Sequence, residues 1–182
     1  MELDDSLVDL SSVIDHDAKI RFITTKDPDS LDILRHSAAH VMAQAILRLN
    51  KDAKLTIGPA VENQFYYDID MDPISEDDFP KIEAEMKKII KEKLPIRRRV
   101  VSKSEALEFY KNEPYKLEMI TDLTDETISF YEQGEFTDLC RGPHVPHTGF
   151  VKNIKLIKVS GARIKSVWAV DSESASLIRI SI

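Results

Sequence analysis

His36 and His40 stand four residues apart in the run His36-Ser-Ala-Ala-His40. On a helix that spacing puts both side chains on one face, so two imidazoles can converge on one atom. About a hundred residues later comes Asp138-Leu-Cys140-Arg-Gly-Pro-His144, where a Gly-Pro turn can fold a thiol and a third imidazole into one space. Three imidazoles and a thiol can bind a metal or position a water. Each piece has an ordinary explanation when taken alone. A histidine pair on an amphipathic helix is often incidental, a lone cysteine is usually a small buried apolar residue, and Gly-Pro-His can be a turn and nothing more. Four of the chain's six histidines and cysteines fall in these two segments, however, and the ordinary explanations weaken together. His16 and His147 lie outside the pattern and receive no role.

No glutamate follows His36, so the zinc-protease arrangement lacks its general base. Two chemistries stay open: a cysteine nucleophile served by a histidine base, and a water oriented and activated by imidazoles. The second suits an activated ester.

The elements that must position these groups follow from pattern. Asp27-Pro-Asp-Ser30 gives a turn and a helix start, and Ile33, Leu34, Ala38, Val41, Ala45 and Leu49 recur at helical spacing. A helix is expected from about Leu31 to Leu49, carrying both histidines. FYYDID (65–70) reads as a strand, Ser75 opens a second helix that Pro95 closes, IRRRVV is a strand, and Ser104 to Tyr110 a short helix. The pattern weakens after Pro114, and TISFYEQ, EFTDLC, NIKLIKV and SVWAV are then strand-like. Residues 1–27 read as small strands (LVDL, KIRFIT). Strands and helices do not alternate strictly, so the expected class is α+β: an antiparallel sheet packed with a long N-terminal helix and further helices.

The 182 residues are 42% hydrophobic, enough for a real core, which sets aside disorder and disulfide-stapled miniproteins. A single cysteine fits a reducing cytosol, no stretch approaches the roughly 20 apolar residues of a membrane span, and the acidic start MELDDSLVDL is no targeting peptide. A soluble cytoplasmic protein without a membrane partner is expected. The net charge of −7 argues against nucleic acid only as a sum. Basic residues gather from Lys87 to Lys103, through Arg97-Arg98-Arg99, and again from Lys152 to Lys165. Such tracts can hold a phosphate backbone locally, or simply be a solvated helix face and a guarded edge strand.

The segments LRHSAAHVMAQAI, TIGPAVENQFYYDID and TDLCRGPHVPHTG resemble the editing domain of threonyl-tRNA synthetases, part of a superfamily shared with alanyl-tRNA editing domains. The resemblance covers about residues 8–161, and HxxxH paired with CRGPHxP is highly specific. Residues 7–25 resemble the end of the small ubiquitin-like TGS domain that precedes editing, so the expected division is a TGS remnant over 1–27 and the editing domain over 28–182. Nothing resembles the class II catalytic or anticodon-binding domains, and this chain alone is not expected to aminoacylate tRNA. The resemblance implies water attack on the ester of seryl-tRNA for threonine, sparing threonyl-tRNA. Its partners are the acceptor end of that tRNA and, if the chain is an excised piece, the rest of the synthetase. A methyl is worth only about 1–3 kcal/mol of discrimination in a synthetic site, so a second pocket that rejects threonine by its methyl answers a real need.

Carried over position by position, the resemblance makes His36, His40, Lys116, Cys140 and His144 catalytic, and Gly58, Tyr67 and Asp138 substrate-binding. Lys116 would position or activate water, and Asp138 would read the ammonium or hydroxyl of the amino acid. Without the resemblance Lys116 is a solvated surface lysine and Tyr67 a core strand residue. No cofactor is expected. Zinc is the alternative, on His36, His40, Cys140 and His144, but four protein ligands would leave no open position for water and Lys116 adds a disfavouring charge. The rival functions are an alanyl-type trans-editing deacylase and a non-catalytic zinc-stabilised RNA-binding module. The sequence departs from the family after Gly161-Ala162, where Arg-Ile-Lys-Ser-Val precedes Trp168 and Val170 stands where glycine is expected before Asp171.

Overall fold

The longest element is the one that the histidine spacing requires, helix α1 at Ser30–Leu49. A computed structural model gives the architecture around it and describes residues 1–56, 58, 60–61, 64–152, 154–161 and 177–181. The expected strand SVWAV and the divergent run after Ala162 lie outside those residues. The middle of α1, residues 37–46, is buried on all sides, which an amphipathic surface helix would not be. Ala38, Ala39, Ala43 and Ala45 supply small contact surfaces, and Val41, Met42 and Ile46 fill between them. That central placement is why polar residues of α1 end up deep inside.

Helix α2 (Phe79–Glu92) packs on α1. Its buried Phe79, Ile82, Met86 and Ile89 recur at three- and four-residue steps. Ser75 and Asp78 form a capping box before it, and Lys93 ends it in the left-handed conformation. Strands β1 (Glu2–Leu3), β2 (Ser6–Leu7) and β3 (Ile20–Arg21) make a small sheet in the order β2-β1-β3. A second sheet runs β10-β11-β6-β4, with β5 also pairing β6. Its strands are β4 (Lys54–Leu55), β5 (Ala60–Val61), β6 (Gln64–Asp70), β10 (Lys158–Gly161) and β11 (Leu177–Ser181). The third sheet is β7-β8-β9, from Ile96–Ser102, Thr127–Gln133 and Phe136–Leu139. Every strand pair among the described residues is antiparallel, and the α+β class is as expected.

One apolar core gathers α1, α2 and β6; a second, around Val101, Ala106, Tyr110, Ile120, Ile128 and Phe130, lies between the third sheet and helices α3 (Lys103–Phe109) and α4 (Pro114–Asp122). Helix α4 replaces the patternless stretch expected after Pro114. Proline at the helix start fixes the first turn, and buried Lys116 and Ile120 share its inner face at an i, i+4 step. Strand β11 was not anticipated at all, because its hydrogen bonds to β6 and β10 are entirely non-local. The NIKLIKV run, by contrast, is strand only from Lys158.

Candidate active site

Helix α1 and the turn after β9 meet where the spacing argument put them. His36 and His40 project from α1, and the Cys140–His144 turn folds back on them with one ligand atom from each of the four residues within 4.8 Å of every other. The His144 ring centre lies 4.2 Å from both His36 and His40. Gly142, at φ 66°, makes the reversal possible. A β-carbon there would stand 1.8 Å from the Tyr131 hydroxyl, so the turn is seated directly on that tyrosine.

The tautomer of His144 can be read from its neighbours. Ser37 Oγ lies 2.8 Å from the Ile33 carbonyl, to which it donates its one proton, and it accepts from Val145 N at 3.0 Å. Its remaining 3.0 Å contact is with His144 Nδ1, which must therefore be the donor. The lone pair of Nε2 then faces Cys140 Sγ at 3.1 Å, and the thiol donates to it. Burial holds His40 and His144 well below the ordinary imidazole range, helped by the neighbouring His36 and by Lys116 for His40 and by the other two histidines for His144. His36 is lowered less: burial again dominates, while Asp138 and Asp9 pull the other way. Burial pushes the Cys140 thiol up, with Asp138 adding to it. The cluster is a set of neutral imidazoles and a protonated thiol.

Beside it stands a buried polar group of three. Asp138 accepts from Lys116 Nζ at 2.5 Å, from the Tyr67 hydroxyl at 2.5 Å and from Leu139 N at 2.8 Å. Its Oδ2 also faces His40 Nε2 at 3.8 Å. Lys116 is 3% exposed, so the surface position expected from its local sequence is wrong; helix α4 turns it inward beside Ile120. Tyr67 is both a buried strand residue and a pocket wall. Gly58 lies against its ring, where a β-carbon would come within 2.4 Å.

His36, His40, Gly58, Tyr67, Lys116, Asp138 and Cys140 all line one cavity of about 630 Å³. His144 sits behind its wall. Three contributors were missed from sequence. Ser37 lies within the histidine motif, where a polar residue on a buried helix face was the available signal. Tyr131 lies inside a predicted strand. Asp9 accepts from His144 N at 3.0 Å and from the Tyr131 hydroxyl at 2.5 Å, a contact across more than a hundred residues that nothing local announces.

The quartet also fits zinc. His40 Nδ1 is buried without a hydrogen-bond partner among the described residues, His144 Nε2 offers its lone pair, and three imidazoles with a thiolate match the donor preference of that ion. Donors around a tetrahedral zinc stand on the order of 3.4 Å apart, so the four side chains would have to draw in. His40, His36, Cys140 and His144 would hold the ion, which with four protein ligands would be structural.

Residues 128–181 match the threonyl and alanyl tRNA synthetase second additional domain. The whole chain aligns with threonine–tRNA ligases: 63% identity over 180 residues with that of Desulfatibacillum aliphaticivorans, and 58% over 180 with that of Desulforapulum autotrophicum. The threonine–tRNA ligase of Thermotoga neapolitana is 48% identical over 182 residues. Each alignment covers at least 98% of this chain and 28% of the relative. Over nearly its whole length the chain is similar to one part of these ligases. The second additional domain match holds Asp138, Cys140, His144 and Tyr131, and α1 with its two histidines lies in the wider aligned stretch. The chain spans little more than a quarter of the length of these ligases. Among the described residues no helix is long and apolar enough to cross a membrane.

Proposed function

We propose that this chain hydrolyses the ester of seryl-tRNA for threonine and spares threonyl-tRNA. One observation carries the reading: a histidine–cysteine cluster and a buried Lys116–Asp138–Tyr67 group share a single cavity. A water held between His36 and Lys116 attacks the ester carbonyl carbon. The bond from that carbon to the ribose oxygen breaks, serine leaves with the new oxygen, and the ribose oxygen takes up a proton. His36 is neutral and the least lowered of the three imidazoles, so it can accept the water's proton; Lys116 orients the water and faces the developing negative charge. Asp138 holds Lys116 and Tyr67 in place and reads the substrate's ammonium or hydroxyl. Tyr67, wedged between Gly58 and Asp138, is a rigid wall against which the threonine methyl collides.

The partner is the acceptor end of the tRNA, with the rest of a synthetase where the domain is part of one. Residues 1–27 are read as the tail of a TGS-like unit and 28–182 as the editing domain, acting in the cytoplasm. Deacylation of seryl-tRNA above its spontaneous rate tests the proposal; no acceleration would defeat it. A second reading is favoured by the 3.1 Å Cys140–His144 contact, which has the reach of a nucleophile–base pair. Attack by sulfur would leave a seryl thioester on Cys140, and acid quenching followed by mass spectrometry would find it.

A further inference from the structure

We propose that the cleft bordered by Arg98 and Arg141, next to the cavity just described, binds a phosphodiester of the single-stranded nucleotide run that delivers the ester. This rests on the reading of the cavity as a hydrolase for aminoacyl-RNA, and adds to it where the strand leaves. The cleft has a volume of about 490 Å³ and shares Met119, Leu123, Leu139, Cys140 and Arg141 with the cavity as a common wall. Arg141 follows Cys140 directly, and adjacent Cα atoms are only about 3.8 Å apart. A strand whose terminal ester reaches Cys140 therefore passes Arg141 within about one nucleotide.

Ion pairing separates these two from most other arginines. Arg21, Arg35, Arg48 and Arg99 each lie within 4.0 Å of a carboxylate. Among the described residues Arg97, Arg98 and Arg141 have no such partner, and of these three Arg98 and Arg141 line the cleft. Arg98 is instead braced by two hydrogen bonds from Nε and Nη2 to Ser129 Oγ, at 3.1 and 2.8 Å. A hydroxyl orients the guanidinium without neutralising it, and leaves its planar fork free for phosphate oxygens. Asp125 is the one carboxylate on the cleft and is exposed, so solvent screens it. Met119, Leu123 and Leu139 give the apolar floor on which a sugar or base can lie. An acidic chain thus keeps an unneutralised pair of guanidinium groups at the mouth of the site.

The test compares two substrates that share the ester and differ in the phosphates. In the protein carrying Arg98→Ala and Arg141→Ala together, kcat/KM for seryl-tRNA should fall about tenfold or more, mostly through KM. Hydrolysis of 3′-O-seryl-adenosine, which has no phosphate, should stay within about twofold of the parent in the single variant Arg98→Ala, because Arg98 lines the cleft and not the cavity. Arg97→Ala is the control, because adjacent strand residues face opposite sides. Binding of a short single-stranded RNA ending in CCA gives a readout that needs no hydrolysis. Its salt dependence should become shallower by about 0.7 per lost contact. Equal losses on both substrates in Arg98→Ala would make that arginine structural, and no loss on either would send the strand elsewhere; each overturns the proposal. If the parent protein hydrolyses neither substrate, the esterase reading fails, and the RNA slope alone decides the cleft: an unchanged slope rejects it.

Discussion

Cys140 and His144 hold a proton between them, and its place separates the two mechanisms. Ser37 fixes His144 as the Nδ1–H tautomer, so the thiol donates and the pair is neutral. Under water attack Cys140 only shapes the wall, and Cys140→Ser should retain activity within about tenfold, with no thioester trapped. His36→Ala removes the proposed base and should slow deacylation by about 10²–10⁴-fold, measured under single turnover, with the melting curve little changed. Lys116 behaves differently. As a 3% exposed partner of an equally buried Asp138, its removal strands a carboxylate in the interior, which costs about 3–5 kcal/mol. Lys116→Ala should therefore lose both activity and stability, and urea unfolding alongside the assay will show the two together.

At the scale of elements, the site is a turn clamped to a helix. Asp9, from the N-terminal segment, holds the turn by its His144 amide and steadies Tyr131 beneath it. Asp9→Ala leaves both donors without their acceptor and should destabilise by about 1–3 kcal/mol. Asp9→Asn keeps an oxygen for the amide and should recover most of the lost stability in the same unfolding measurement. If Ala and Asn variants are equally impaired, the clamp is not what matters. The helix carrying His36 and His40 was legible because a turn signal before it and a long run of apolar residues at helical spacing agree, although Asp29 at its start makes no side-chain cap and residues 37–46 are buried on every side. So was the Gly142 reversal, because glycine before proline marks a turn. Helix α4 was not, since only Pro114 announced it and its inner face is set by packing against the third sheet. Asp9 and strand β11 were illegible for a common reason: their partners are distant in sequence, and a lone carboxylate or a short apolar run gives no hint of which distant group it will meet.

Over the whole molecule, Arg48 ties the end of α1 to α2 through Glu85 and Glu92 and to the β8–β9 turn through Glu135. Its hydrogen bond, with that of Gln44, holds the Glu135 carboxyl at about 2, against an ordinary 4.5. A depressed carboxyl stabilises the fold fully above its unfolded value, and that contribution is lost as pH falls through the folded one. Arg48→Ala should thus cost about 1 kcal/mol at neutral pH, kept small by solvent screening, and the gap from the parent should close between about pH 4.5 and 2 in urea titrations. We further expect the working site to be free of metal: elemental analysis of chelator-free protein should find no stoichiometric zinc, and chelation should leave deacylation intact. Zinc whose removal abolishes activity would make the quartet a metal centre. The most direct measurement is the single-turnover rate of deacylation of seryl-tRNA and threonyl-tRNA for threonine by the same protein at the same concentration. The cavity walled by Tyr67, Lys116 and Asp138 should hydrolyse the seryl ester at least about a hundredfold faster, as a rigid wall that rejects one methyl requires; equal rates on the two esters would contradict it.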